Sequence, residues 1–170
     1  MRLLRGLLGL AFGLFIIGSI ASAIAAVVLK DRLQSRAEPD DDEIDYVAIW
    51  ESRDFSSSAA SFSGGTILAW YGGGTVDLRR ATLDPAGATL ELKAIFGGLR
   101  LVVPETWRVE LGTVGIFGGI GDGRDKDRVA DGGPTLQITG FAVFGGAAIV
   151  SDAPDLDIVA APDSATTSAA

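Results

Sequence analysis

The sequence predicts an all-β fold, a short single-domain β-solenoid of the β-helix kind, preceded by one N-terminal transmembrane helix. Three observations carry that expectation. Phe-Gly-Gly occurs at Phe96-Gly97-Gly98, Phe117-Gly118-Gly119 and Phe144-Gly145-Gly146, with the related Tyr71-Gly72-Gly73 and Phe62-Ser63-Gly64-Gly65 upstream. A feature that returns at intervals of roughly 20 to 27 residues points to stacked units, because each unit must present the same side chain to its neighbour. Between the repeats the hydrophobic period is two: Leu90-Glu91-Leu92-Lys93-Ala94, Trp107-Arg108-Val109-Glu110-Leu111 and Leu136-Gln137-Ile138-Thr139 alternate as half-buried strands do. Ahead of them lies a long uncharged apolar run.

That run, from Gly6 to Leu29, holds no charged residue and only two serines. As a helix it spans a hydrocarbon core about 30 Å thick, and Leu7, Phe15, Ile17 and Val28 are among its anchor residues. Arg2 and Arg5 precede it while Lys30, Arg32 and Arg36 follow, so the positive-inside rule does not set its orientation. A cleaved signal peptide is the rival reading, with Ala21-Ser22-Ala23 as the small-residue site. The apolar run continues past that site through Ile24, Val27, Val28 and Leu29, which suits a retained anchor over residues 1–30.

Residues 31–45 combine basic residues, Pro39 and the acidic run Glu38, Asp40, Asp41, Asp42, Glu43 and Asp45. Such a composition buries too little apolar surface to offset ordering entropy and reads as a self-repelling juxtamembrane linker. The repeat domain is expected over residues 46–150. Turn chemistry separates its strands at Asp84-Pro85-Ala86-Gly87, Val103-Pro104-Glu105 and Asp131-Gly132-Gly133-Pro134. The glycine pairs are expected to turn corners, where glycine accepts positive φ and close backbone approach. The aromatic before each pair is expected to stack on its equivalent one layer away, ~4.8 Å distant, as a ladder inside the coil. Residues 151–170, with Pro154, Pro162 and many Ala, Ser and Thr, read as a disordered tail.

Composition narrows the function. With no cysteine and no histidine, the chain lacks disulfides, thiolate metal sites, and the commonest general base and transition-metal ligand. The formal charge is −8, but the stretch from Tyr46 to Val150 holds nine basic and eleven acidic residues. No basic stripe of the kind phosphate backbones need is present, so nucleic acid is not an expected partner. The glycines from Gly118 to Gly123 lack the lysine and helix start of a phosphate-binding loop. Asp122, Asp125, Asp127 and Asp131 could supply oxygen ligands to calcium, but Arg124, Lys126 and Arg128 interleave them. No metal or other cofactor is expected. Asp77, Glu91, Glu105 and Glu110 are carboxylates on paper, yet beside Lys93, Arg100 and Arg108 they read as a solvated face. No catalytic residue is assigned.

The ordered series Gly73-Gly74-Thr75-Val76-Asp77-Leu78-Arg79, Leu90 to Gly98, Leu101-Val102-Val103-Pro104-Glu105-Thr106-Trp107-Arg108-Val109, Phe117-Gly118-Gly119 and Thr139 to Gly146 resembles the C-terminal, or toastrack, domain of LiaF-type cell wall-active antibiotics response proteins. The likeness covers about residues 70 to 150. It implies a β-solenoid-like domain held at the membrane in bacterial cell-envelope stress signalling, where the best-known members modulate a sensor histidine kinase. It carries no catalytic residues. This chain has one predicted span where those members have several.

The expected function is thus a membrane-anchored, non-catalytic interaction module of the envelope stress response, acting on an unidentified signalling or envelope protein. Its expected place is the cell membrane as a single-pass protein, with the soluble domain on the extracytoplasmic side. Two other classes stand beside it. One is a scaffold that self-associates end to end through exposed strand edges. The other is a carbohydrate-binding or carbohydrate-active domain using Trp50, Trp70 or Trp107. Trp107 falls in phase with Val109 and Leu111, so if buried its truncation to alanine costs about 3 to 5 kcal/mol.

Overall fold

The apolar N-terminal run forms one helix and the period-two segments form strands, in a computed structural model that describes residues 2–30, 32–33, 35–125, 129 and 132–151. Helix α1 covers Arg2–Lys30, and its stretch from Gly6 to Lys30 is long and apolar enough to cross a membrane. Among the described residues ten strands follow: β1 (Glu43–Ile49), β2 (Ser52–Ser56), β3 (Gly64–Trp70), β4 (Gly73–Asp77), β5 (Ala88–Ile95), β6 (Gly98–Val102), β7 (Arg108–Ile116), β8 (Gly119–Asp122), β9 (Thr135–Val143) and β10 (Gly146–Val150).

The strands make two five-stranded parallel sheets, one in the order β1-β3-β5-β9-β7 and the other β2-β4-β6-β10-β8. Each odd-numbered strand turns a tight corner into the next even-numbered one, so the chain builds five layers of two strands. A solenoid wound in sequence would stack these layers in chain order. Instead the β9–β10 layer is inserted between β5–β6 and β7–β8. The inward-facing residues give the reason. β9 and β10 contribute Leu136, Ile138, Ala142, Ala147 and Ile149, all buried. The aligned positions of β7 and β8 are Val109, Leu111, Gly115, Ile120 and Asp122, a more polar row that costs less at an end.

Between the sheets lies a single apolar core. In register across the first sheet, Ile67 and Leu92 occupy the middle of successive layers, while Ala48, Ala69, Ala94 and Ala142 form a row of small residues just before the corner. Tyr46, Phe62, Leu78, Leu101 and Ile138 are fully buried in the same core.

One expected boundary shifts. The acidic segment is tied to the domain: the Arg36 amide donates to Asp45 O, the Ser58 amide to Pro39 O and the Ser63 amide to Asp42 O. Asp42 also accepts from the Ser61 amide, and Ala37 packs against the core. Strand β1 therefore begins at Glu43, inside the stretch expected to be linker, because Ile44 and Tyr46 supply the apolar burial that the acidic run alone lacks. Residues 152–170, the expected tail, lie outside the described residues, as do Asp127 and Asp131.

Candidate functional site

Five aromatic residues occupy the five corners: Trp50, Tyr71, Phe96, Phe144 and Phe117, in stacking order. Their φ angles are 55°, 49°, 50°, 49° and 53°, all left-handed, a region that non-glycine residues seldom adopt because Cβ crowds the backbone. The positive φ thus falls on the aromatic itself. The first glycine of each pair serves close approach instead, since a Cβ on Gly97, Gly118 or Gly145 would collide with the carbonyl oxygen of Gly72, Gly145 or Gly97 respectively. The second glycine is less uniform: a Cβ on Gly98 or Gly119 would meet nothing, whereas one on Gly146 would strike Gly119 O.

Backbone hydrogen bonds run up the corners in series. The amides of Trp50, Tyr71, Phe96 and Phe144 donate to the carbonyls of Trp70, Ile95, Val143 and Ile116 at 2.9 to 3.2 Å. The rings follow the same series, with centroids 4.5 Å apart for Trp50–Tyr71, 4.9 Å for Tyr71–Phe96, 5.0 Å for Phe96–Phe144 and 4.9 Å for Phe144–Phe117, and planes within 9° of parallel. Offset stacks of this kind contribute about 0.5–1.5 kcal/mol each beyond burial.

The ladder stands on the outside of the domain, which corrects the expectation of a ladder within the coil. Trp50 is 47% exposed, Phe144 36% and Phe117 79%. Strict alternation would carry Phe96 inward after Leu92 and Ala94; the left-handed turn at Phe96 breaks the alternation and sends the ring out. Beside the ladder, the last outward positions of the first sheet are Ile49, Trp70, Ile95, Val143 and Ile116 in register. The corner region of that face is therefore apolar from end to end.

Helix α1 lies along this face. Ala26 is buried against Val47 and Ile49, the Trp70 indole N–H donates to Ser22 Oγ at 3.1 Å, the Tyr71 hydroxyl donates to Ser19 O at 3.1 Å, and the Phe15 ring meets Phe144 edge-on at 5.2 Å. Of the other expected anchor residues, Leu7, Ile17 and Val28 point away from the domain and are exposed. Lys30 ends the helix beside Glu51 at 3.5 Å.

The remaining motif residues fall elsewhere. Phe62, expected to belong with the repeats, is fully buried and stacks on Trp107 with centroids 6.2 Å apart; its Gly64-Gly65 opens β3 and makes no corner of the ladder. Trp107 is 9% exposed and sits in the turn before β7, its amide donating to Pro104 O. Leu111, expected to share its burial, is exposed because β7 is the terminal layer. Trp50 was missed as a ladder member because Glu51 and Ser52 follow it in place of glycines. Its distance from Tyr71 equals that between Phe96 and Phe117, and that spacing is the signal that finds it.

Polar groups near these elements are engaged. Arg124 is almost fully buried, paired with Asp122 at 2.9 Å and donating from Nη1 to Pro104 O and Trp107 O. Both carboxylate oxygens of Asp122 face that guanidinium, so Asp122 is not available to a cation. Glu91 pairs with Lys93 at 2.7 Å, and bonds from Arg79 hold the Asp77 carboxyl below its usual range. Burial pushes the Tyr46 phenol up to about 12, with the charge of Asp54 adding to it. Among the described residues no three His, Cys, Asp or Glu side chains gather as a metal site. The inner rings of the stack offer edges rather than faces to solvent, so that part of the ladder suits apolar chains and helices better than sugar rings. Comparison of the chain with protein-family models, with curated proteins and with solved structures gives no match.

Proposed function

We propose that this chain is a membrane-anchored, non-catalytic interaction module of the bacterial cell-envelope stress response, of the LiaF toastrack kind with a β-solenoid-like domain, and that the ladder face is where it meets its partner. The observation that carries the reading is the seating of α1. Residues 15 to 26, which contact the ladder face, are also the middle of the apolar stretch. One segment cannot at once cross a bilayer and lie along the domain. When α1 enters lipid it bares an exposed strip of rings and aliphatic side chains, larger than isolated surface apolar residues and of the kind that marks a binding face. The chemistry that fits such a strip is another apolar helix with small residues on one side, as Ser19, Ser22 and Ala26 provide here, carried by a signalling or envelope protein such as a sensor kinase.

The test is made in the source cell with the full chain. Deletion is expected to change the transcriptional response to wall-active antibiotics. Wild type restores it on complementation, whereas Tyr71→Ser with Phe96→Ser, present at wild-type level in the membrane, does not. An unchanged response on deletion sinks the stress-response reading, and full rescue by the double variant sinks the ladder's part in it. Protease digestion of a C-terminal tag on intact cells then reports the side: digestion of full-length product places the domain outside, and protection until lysis places it within.

A further inference from the structure

The two ends of the layered stack are finished differently. At the first end the segment 35–42 covers part of the edge: the Arg36 amide and the Ser35 hydroxyl both donate to Asp45 O, Pro39 O accepts from the Ser58 amide, and Ala37 packs against the core. At the other end, among the described residues, β7 pairs only with β9 and β8 only with β10. Each corner aromatic from Trp50 to Phe144 passes its amide proton to the next layer. At Phe117 the series stops, and among the described residues no layer follows. One face of the Phe117 ring is stacked on Phe144, and the residue remains 79% exposed.

An open edge is ordinarily blunted by charge, proline or a covering segment. Here eleven residues in succession, Leu111 through Gly121, carry no charge and no proline, and Leu111, Val114, Ile116 and Phe117 are exposed. We infer that the terminal β7–β8 layer is a docking surface for a second copy of this chain, joined by a two-fold axis that places corner over corner and Phe117 on Phe117 of the second copy. A matching partner must present two strand edges meeting at a left-handed aromatic corner, and this layer is itself such a surface. The first end is partly covered by 35–42 and carries the exposed charges of Arg53 and Asp54 along β2, which disfavour an uncharged edge, so the assembly stops at two instead of forming a filament. Anchorage of both copies in one membrane raises their effective concentration and needs no further contact.

The absence of native cysteine makes the test direct. Ile116→Cys is introduced into the full chain in its native membrane, with Ala86→Cys, exposed in the turn before β5 at the opposite end of the strands from the corner, as the control. A short bis-maleimide is expected to convert Ile116→Cys to a cross-linked pair without higher species, while Ala86→Cys stays single. Wild type in mild detergent is expected to show a protein mass twice 17.5 kDa, and Val114→Lys, charging the edge, to halve it with an unchanged far-ultraviolet spectrum. A single-chain mass for wild type with no cross-linking above the control overturns the proposal. A series of trimers and longer species overturns the two-fold closure.

Discussion

Phe144 lies between Phe96 and Phe117, 5.0 Å from one and 4.9 Å from the other, although Phe117 comes before it in the chain. That placement records the inserted layer: the rings stack in the order of the sheets and not in the order of the sequence. It also gives Phe144 three aromatic neighbours, since Phe15 meets it from the helix.

Replacing Phe144 separates packing from backbone strain. Phe144→Ala removes two stacked partners and one edge contact from a partly exposed site, a loss of about 2–3 kcal/mol. Phe144→Gly removes the same ring but accepts the φ of 49° without the Cβ clash, which is worth about 1 kcal/mol. The expected order in urea unfolding of the full chain in detergent is wild type, then Gly, then Ala, the reverse of the usual ranking of these two residues in strands. Alanine above glycine means the left-handed corner relaxes when the ring is gone.

The two glycines of one motif have unequal duties. Gly97→Ala drives a methyl into the carbonyl of Gly72, which is backbone and held in the corner by the Gly98 amide at 3.1 Å. Overpacking of this kind costs about 1–3 kcal/mol. Gly98→Ala places its methyl in open space and is expected to change stability by no more than about 0.5 kcal/mol. Thermal melts of the two variants check the contrast; equal losses refute the close-approach account.

Much of the fold was legible in residue pattern. Alternation from Leu90 to Ala94 places β5, and the recurrent Phe-Gly-Gly places three corners, because both are local consequences of backbone geometry. Layer order was not, since spacing along the chain is silent on which edge a strand joins. A trace existed in Asp122, which stands in register with Ile149 and Leu101 and marks its layer as terminal. The outward ladder was hidden for a different reason: Phe96 has the parity of Leu92 and Ala94, and only its sign of φ turns it to the surface. The docking of α1 rests on contacts such as Tyr71 with Ser19, 52 residues apart, for which neither segment carries a local sign.

Arg124 closes the open end of the core on its polar side. Its side chain is 2% exposed, and it joins Asp122 to the carbonyls of Pro104 and Trp107. Arg124→Ala strands the carboxylate of Asp122 in a site 11% exposed and frees two carbonyls, a loss of about 3–5 kcal/mol. The double variant Arg124→Met with Asp122→Leu removes both charges and is expected to recover most of that loss in the same denaturation assay. Equal damage from single and double variants means the carbonyl contacts, and not the ion pair, carry the stability.

Tyr46 makes the domain sensitive to alkali. Its hydroxyl is buried in the first layer and donates to Arg53 O at 2.6 Å, with Gly73 O at 3.0 Å. Ionisation would remove that proton and leave a phenolate facing two carbonyl oxygens, beside Asp54, and the folded pKa accordingly rises from 10.0 to about 12. In the unfolded chain the phenol ionises at its ordinary value, so above pH 10 the unfolded state releases a proton that the folded state retains. The contribution of this group is therefore complete below pH 10 and is lost as the pH rises from 10 to about 12. Tyr46→Phe is expected to cost about 1–2 kcal/mol at neutral pH through the lost hydrogen bond. Its stability should fall less steeply than that of wild type over the alkaline window. Parallel curves for the two proteins between pH 10 and 12 would assign the alkaline loss to other groups.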